Sequence, residues 1–283
     1  MATIIRFLKQ LLPPRYFKYL QIIFYSLRNE LIYLETHITD HCNLNCKACR
    51  HFSPISGESF RDLKLFTKDM KRMQELFSNI RIIRLMGGEP LLHRGVADFL
   101  LVTREAFPRA EIHLVTNGIL LPKMNDLFWE SCAECKVILD VTRYPINLNL
   151  QSIRELSRKN GVILFESPLV TKFHQYHMNR KGDSDTKETF KACRQVSYCP
   201  FLDSNNGRLY LCPVSASVEI YSKHFNDDIA LSDKNFISIY GNVTSQDIFR
   251  FLNRSIPFCG YCTTKKTLFG WTRSRLVKEE WFE

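Results

Sequence analysis

The chain has 283 residues, 45% of them hydrophobic and 12% aromatic, enough for one large packed domain or a main domain with a smaller companion. Lys and Arg outnumber Asp and Glu by 39 to 29, and the net charge of +10 favours anionic partners: phosphorylated substrates, nucleic acid or a lipid headgroup surface. Ten cysteines without a signal peptide argue against a secreted disulfide scaffold, no segment is of low complexity, and no apolar run near the N-terminus approaches the ~18 residues of a membrane span.

Residues 1–31 read as two short helices parted by Pro13-Pro14, with Ile4, Leu8, Leu11 and Leu12 on one face and Arg6 and Lys9 away from it. Such a segment either packs across the bottom of a larger domain or lies on an anionic membrane surface. From residue 32 strand and helix patterns alternate. Strands are predicted at 33–39, 81–86, 111–116, 136–142 and 162–167, and helices at 65–78, 95–106, 123–133 and 149–159. Pro108, Gly118 and Gly161 mark element ends. Strands joined by helical crossovers predict an α/β fold with a parallel sheet. Residues 168–190 are polar and irregular. The β/α rhythm is lost beyond residue 190, and a second, smaller region is predicted over 191–283.

Polar motifs stand at the ends of successive strands, where a parallel β/α barrel builds its active face. The first strand is followed by Cys42, Cys46 and Cys49, spaced C-x3-C-x2-C. Three thiolates this close can hold three irons of a [4Fe–4S] cube and leave the fourth iron open for a small chelating cofactor. A structural zinc site would want a fourth ligand, which His41 or His51 could supply. The second strand is followed by Gly87-Gly88-Glu89-Pro90, the third by Thr116-Asn117-Gly118, and the fourth runs through Leu139-Asp140-Val141-Thr142-Arg143.

In order and at these spacings, the motifs resemble those of the radical S-adenosylmethionine (SAM) enzymes, over about residues 32 to 262. The resemblance implies a partial parallel (β/α) barrel over 32–190. It also implies a [4Fe–4S] cluster on Cys42, Cys46 and Cys49 whose open iron is chelated by the SAM amino and carboxylate groups. One electron then yields methionine and a 5′-deoxyadenosyl radical, which abstracts hydrogen from the substrate. The turn Gly87, Gly88, Glu89 and Pro90 matches the segment that receives the SAM ammonium. Arg143 is the candidate for the SAM carboxylate, with Thr142 or Asp140 near the ribose and Asn117 as a further cofactor contact. An arginine at a strand end is equally a surface or ion-pair residue. The aromatic residue usual in the family before the last cysteine is replaced by Ala48, and His51 or Phe52 would have to compensate. A subgroup with a small residue there often belongs to polysaccharide or small-molecule biosynthesis.

Beyond the barrel, thirteen residues separate Cys193 from Gly207 and four separate Gly207 from Cys212, and Cys259-Gly260-Tyr261-Cys262 follows. The arrangement resembles the twitch extension, a shorter relative of the SPASM domain, and implies one auxiliary [4Fe–4S] cluster on Cys193, Cys212, Cys259 and Cys262. Cys199 competes for the first position or stands as a fifth thiol that donates a hydrogen atom. A zinc site on the same four is the alternative. Cys132 and Cys135, at the end of a predicted helix, read as core cysteines.

The expected function is hydrogen abstraction from an anionic carbohydrate-type small molecule, nucleotide- and phosphate-linked ones included, leading to oxidation or epimerisation. A reductant such as flavodoxin or ferredoxin and a cytoplasmic location go with the reduced thiolates. The alternative substrate is a ribosomally made peptide, although residues 1–31 are too short for the winged leader-binding domain that goes with it. A nucleic-acid partner is not expected, because no arginine-rich stripe or aromatic stacking motif is present. His174, His177 and Arg180, just past the last predicted strand, are candidates for a phosphate or uronate, or belong to a solvated loop, and the tryptophan-bearing tail from Trp271 to Trp281 is expected to cap an open barrel edge.

Overall fold

The computed structural model describes residues 24–193, 199–203 and 206–283. Most of the segment expected to be amphipathic, residues 1–31, lies outside them. Along the described chain run β1 (Glu30–Thr39), α1 (Leu63–Leu76), β2 (Asn79–Gly87), α2 (Val96–Ala106), β3 (Glu111–Thr116), α3 (Asp126–Glu134), β4 (Ile138–Val141), α4 (Leu150–Lys159) and β5 (Ile163–Glu166). They are followed by β6 (Lys172–Met178), α5 (Thr186–Ala192), β7 (Phe201–Asp203), β8 (Arg208–Tyr210), α6 (Pro213–Phe225), β9 (Phe236–Ser238), α7 (Ser245–Leu252) and β10 (Cys262–Gly270).

The first five strands are parallel, in the order β5-β4-β3-β2-β1, and each connection is a helix, as the alternating periodicity predicts. A sixth parallel strand, β7, pairs with the free edge of β1, and β8 and β9 continue the sheet antiparallel. The sheet therefore runs on through residues expected to form the smaller second region. Helix starts follow side-chain caps: Asp62 accepts from the Leu65 N–H at 2.9 Å, and Asn125 accepts from the Phe128 N–H at 3.0 Å. These caps place α1 and α3 two to three residues from their predicted starts.

Alternation along each strand separates two chemistries. Leu34 and Ile38 of β1, Ile83 and Leu85 of β2, Ile112 and Leu114 of β3 and Leu139 and Val141 of β4 are fully buried in the core with Phe66, Phe99, Phe128 and Ile153 of the helices. The opposite face is polar. Tyr33 donates to Glu35 at 2.6 Å, Arg84 donates to Asp140 at 2.7 Å, and His113 lies 3.4 Å from the same carboxylate. Above these residues, at the C-terminal strand ends, the loops converge.

The stretch 168–190, expected to be irregular, contains β6, which pairs antiparallel with β10 from Lys172↔Gly270 to Met178↔Cys262. Its polar sequence carries no strand signal, because the ladder partner is far away in the chain, β10 is largely exposed and β6 is mostly half-buried. Among the described residues no helix is long and apolar enough to cross a membrane.

Leu34 is wholly buried at the centre of β1. Leu34→Ala should lower folding stability by about 2–5 kcal/mol, read as an earlier midpoint in anaerobic denaturant unfolding. An unchanged midpoint would contradict the assignment of this face to the core.

Candidate functional site

The loop after β1 carries Cys42, Cys46 and Cys49. Their side chains line one end of a cavity of about 480 Å³. The Leu44 N–H donates to Cys42 Sγ at 3.3 Å, the Asn117 amide reaches the same sulfur at 3.9 Å and Asn43 at 2.7 Å, and the Trp271 indole donates to Cys46 Sγ at 3.2 Å. Burial pushes the Cys42 and Cys46 thiols up to about 12, so they ionise only when a cation takes the place of the proton. Three soft donors in one loop, with N–H groups aimed at two of the sulfurs, fit an iron–sulfur cluster with one open iron. Among the described residues no three His, Cys, Asp or Glu side chains are grouped to hold a single metal ion. A cube binds each thiolate through a different iron and sets its ligands wider apart.

The Gly-Gly turn is pressed against this loop. A Cβ on Gly87 would lie 1.9 Å from the Thr39 carbonyl oxygen, and one on Gly88 would lie 2.1 Å from that of His41. Gly88 N–H donates to Thr39 and Glu89 N–H to His41, both at 3.0 Å. Only glycine fits such an approach. Gly87 and Gly88 are on the cavity wall, whereas Glu89 and Pro90 are buried behind it. Glu89 accepts from the Thr116 hydroxyl at 2.6 Å, the Asn117 N–H at 2.8 Å and the Leu91 N–H at 3.2 Å, tying the ends of β2 and β3 together. Burial pushes its carboxyl up to about 7 against the pull of these donors.

Of the other expected cofactor contacts, Asn117 and Thr142 line the cavity and Arg143 and Asp140 do not. Asp140 is held by Arg84 and His113; burial raises its carboxyl, and these two partners bring it below the usual range. Arg154, which donates to Glu166 at 2.7 Å, holds that carboxyl down with a lesser pull from Arg143, whose Nε is buried without a hydrogen-bond partner among the described residues. Ala48 sits at φ 55°, in the left-handed region where a small side chain is least strained. His51 is on the cavity wall, bonded to His37 at 2.8 Å, and burial pushes its pKa well below the usual histidine value. Phe52 packs away from this cavity, 5.9 Å from the Trp281 ring.

Of the rest of the wall, the sequence pointed to His51 and His174 but not to Lys47, Arg50, Arg84 or Lys172. Lys47, Arg50, Arg84 and Lys172, with His51 and His174, line the cavity, and among the described residues no Asp or Glu does. Arg84 was legible in retrospect, as a charge at an inward position of an otherwise apolar strand. Arg50 reaches over the Tyr176 ring at 4.2 Å and also lines a second cavity of about 290 Å³ that holds Cys193 and Cys262. His174 is exposed at the wall, but His177 is engaged by Thr267 and Glu283, both at 2.6 Å, and Arg180 pairs with buried Asp227 at 2.7 Å.

Of four cysteines distant in the chain, Cys193 and Cys262 line the second cavity, and Cys212 and Cys259 are coupled to them electrostatically. Cys193 ends α5, Cys212 precedes α6, Cys259 sits in the turn Pro257–Tyr261 and Cys262 opens β10. Ionising Cys193 or Cys212 raises the Cys259 and Cys262 thiols, so the four lie within electrostatic reach. Burial pushes Cys259 up to about 11. Cys199, just before β7, is pushed up to about 12 by burial and then by the charges of Glu35 and Cys212. Cys132 and Cys135 are buried in the core, away from both groups.

Gly88→Ala should drive the turn off the cysteine loop and lower the iron retained by Cys42, Cys46 and Cys49 after anaerobic reconstitution. Full iron content in that variant would show that the close approach is dispensable.

Residues 36–198 match the family described as the Radical SAM superfamily, more than half of the chain. A GTP 3′,8-cyclase of Geobacter sulfurreducens is 26% identical over 282 residues, covering 91% of this chain and 84% of that protein. A GTP 3′,8-cyclase of Petrotoga mobilis is 35% identical over 95 residues, which cover 32% of this chain but only 28% of that protein. Among solved structures, native anSMEcpe with bound AdoMet aligns with a TM-score of 0.50 at 12% identity, over 82% of this chain and 83% of that one, a likeness of fold. The matched segment runs from the second half of β1 through the cysteine triad, the Gly-Gly turn and the strands β2 to β5, and the chain belongs to the Radical SAM superfamily.

Proposed function

We propose that this radical SAM enzyme acts on an anionic, carbohydrate-type small molecule, phosphate- or nucleotide-linked, and that hydrogen abstraction leads to its oxidation or epimerisation. The cavity wall carries the argument: it joins the cysteine triad to Lys47, Arg50, Lys172 and His174 and contains no carboxylate. Arg84 on the same wall is already paired with Asp140, whereas Lys47 and Arg50 lie over the rings of Phe269 and Tyr176 and keep their charge for a ligand. A half-enclosed cationic cavity favours phosphate or carboxylate. The relatives' name points the same way, since GTP joins a sugar to phosphates.

Cys42, Cys46 and Cys49 would hold one [4Fe–4S] cluster and Cys193, Cys212, Cys259 and Cys262 an auxiliary one, in a twitch-like arrangement. When bound, the first supplies the electron that splits SAM into methionine and a 5′-deoxyadenosyl radical, and the second adds a one-electron acceptor or donor near the substrate. In this reading the close backbone at Gly87 and Gly88 receives the SAM ammonium, and Thr142 and Asn117 face the rest of the cofactor. The wall offers no free carboxylate to repel the SAM carboxylate. Arg50 stands between the two cysteine groups, so an anionic group bound there places its sugar between them. Cys199, near Cys212, would return a hydrogen atom in an epimerisation. A one-electron reductant such as flavodoxin or ferredoxin completes the system.

Reconstituted enzyme given SAM and dithionite should form 5′-deoxyadenosine several-fold faster with a phosphate-bearing sugar, tested as GTP, a nucleotide-sugar set and sugar phosphates, than with the corresponding neutral sugars. Arg50→Gln should raise the KM for the stimulating compound about tenfold or more, the size of a lost charged hydrogen bond. Equal rates with charged and neutral sugars, or stimulation by a peptide alone, would contradict the reading.

A further inference from the structure

The chain after β10 returns to the cysteine loop from more than two hundred positions downstream. Trp271 N–H donates to the Thr171 carbonyl at 3.0 Å, which anchors this segment beside the start of β6. Lys47 N–H donates to Thr272 at 3.0 Å, Ser274 N–H donates to Asn45 at 2.9 Å, and Cys46 and Arg273 form an antiparallel bridge. Two indoles complete the contact. Trp281 donates to the Cys49 carbonyl at 2.8 Å, whereas Trp271 donates to the Cys46 sulfur itself at 3.2 Å. An indole N–H is a donor only, so each contact has one sense.

We propose that Trp271 is a positioning residue that eases one-electron reduction of the cluster on the triad. Its N–H orients the Cys46 thiolate and offsets negative charge on it. Reduction adds negative charge to a thiolate-bound cluster. A fixed donor at a ligand sulfur stabilises the more negative state more strongly, so the potential rises. The half-buried Trp271 ring lies beside Tyr144, 6.3 Å between centroids, and Tyr144 stacks on Phe173 at 5.7 Å. This aromatic wall holds the donor in place and limits water at the sulfur, which strengthens the hydrogen bond. The tail is thus part of the cofactor site and not only a cap on the barrel edge.

The inference rests on Cys42, Cys46 and Cys49 holding the cluster. The test is an EPR-monitored redox titration of the full chain, anaerobically reconstituted and without SAM, with iron content measured in parallel. The triad's signal is the one lost in the Cys42/Cys46/Cys49→Ala variant, and if no signal is lost there, the underlying site assignment falls and the inference with it. Trp271→Phe should keep its iron and shift to more negative potential. At the wild-type midpoint its reduced-to-oxidised ratio should fall about tenfold, about 59 mV for one electron. Trp271→His, which retains an N–H, should stay near wild type, and Trp281→Phe should not shift. A wild-type potential in Trp271→Phe at full iron, or an equal shift in Trp281→Phe, would overturn the proposal. Should Trp271→Phe lose its iron, Trp271→His decides: retained iron at the wild-type potential supports the role, and loss from both variants contradicts it.

Discussion

Two backbone hydrogen bonds, from Gly88 to Thr39 and from Glu89 to His41, lock the cysteine loop onto the end of β2, and the rest of the site is arranged around that contact. The strands β1 and β2 are neighbours in register, so their C-terminal ends arrive together. What brings the loops into contact is the absence of side chains at Gly87 and Gly88. Glu89 then extends the link to β3 through Thr116 and Asn117. Its burial would be costly without those donors. Three strand ends are thereby held as one rigid rim, and the triad hangs from it.

Below the rim, the concave face of the sheet is unusual for a protein interior. Tyr33, Glu35, Arg84, His113 and Asp140 form a connected polar layer across four strands. The Arg84–Asp140 pair and the Tyr33–Glu35 bond hold the layer together. Glu35 Oε2, Arg84 Nε and His113 Nδ1 are buried without a hydrogen-bond partner among the described residues, and burial raises the Glu35 carboxyl despite its partners. An apolar core would be simpler to stabilise. The polar layer instead forms the floor beneath a cationic cavity, while the opposite face of the same strands carries the hydrophobic packing. Period-two alternation lets one sheet serve both ends.

Much of this was legible in the sequence, for identifiable reasons. The five helix-linked strands have strong periodicity, and the triad and Gly-Gly turn are short-range spacings that survive without three-dimensional information. Other features depend on contacts that spacing cannot express. The strand β7 has only three residues and is stabilised by the edge of β1. The ladder between β6 and β10 joins two polar segments that carry no strand signal by themselves. Arg143 looked well placed after β4, but in the strand's alternation the cavity side falls to Thr142 and Tyr144. Neither tryptophan contact to the cysteine loop has any local signature. The four later cysteines were recognisable as a group in the sequence, and two of them, Cys193 and Cys262, share the wall of the second cavity.

The central claim is that the ten cysteines divide into two cluster-binding groups and a remainder. It is tested most directly by iron and sulfide counts on anaerobically reconstituted protein beside the Cys42/Cys46/Cys49→Ala variant. The account predicts about eight irons per chain, falling to about four in the variant. About four irons falling to none, with zinc bound elsewhere, would leave the radical step in place. That result would contradict the redox role proposed for Cys193, Cys212, Cys259 and Cys262.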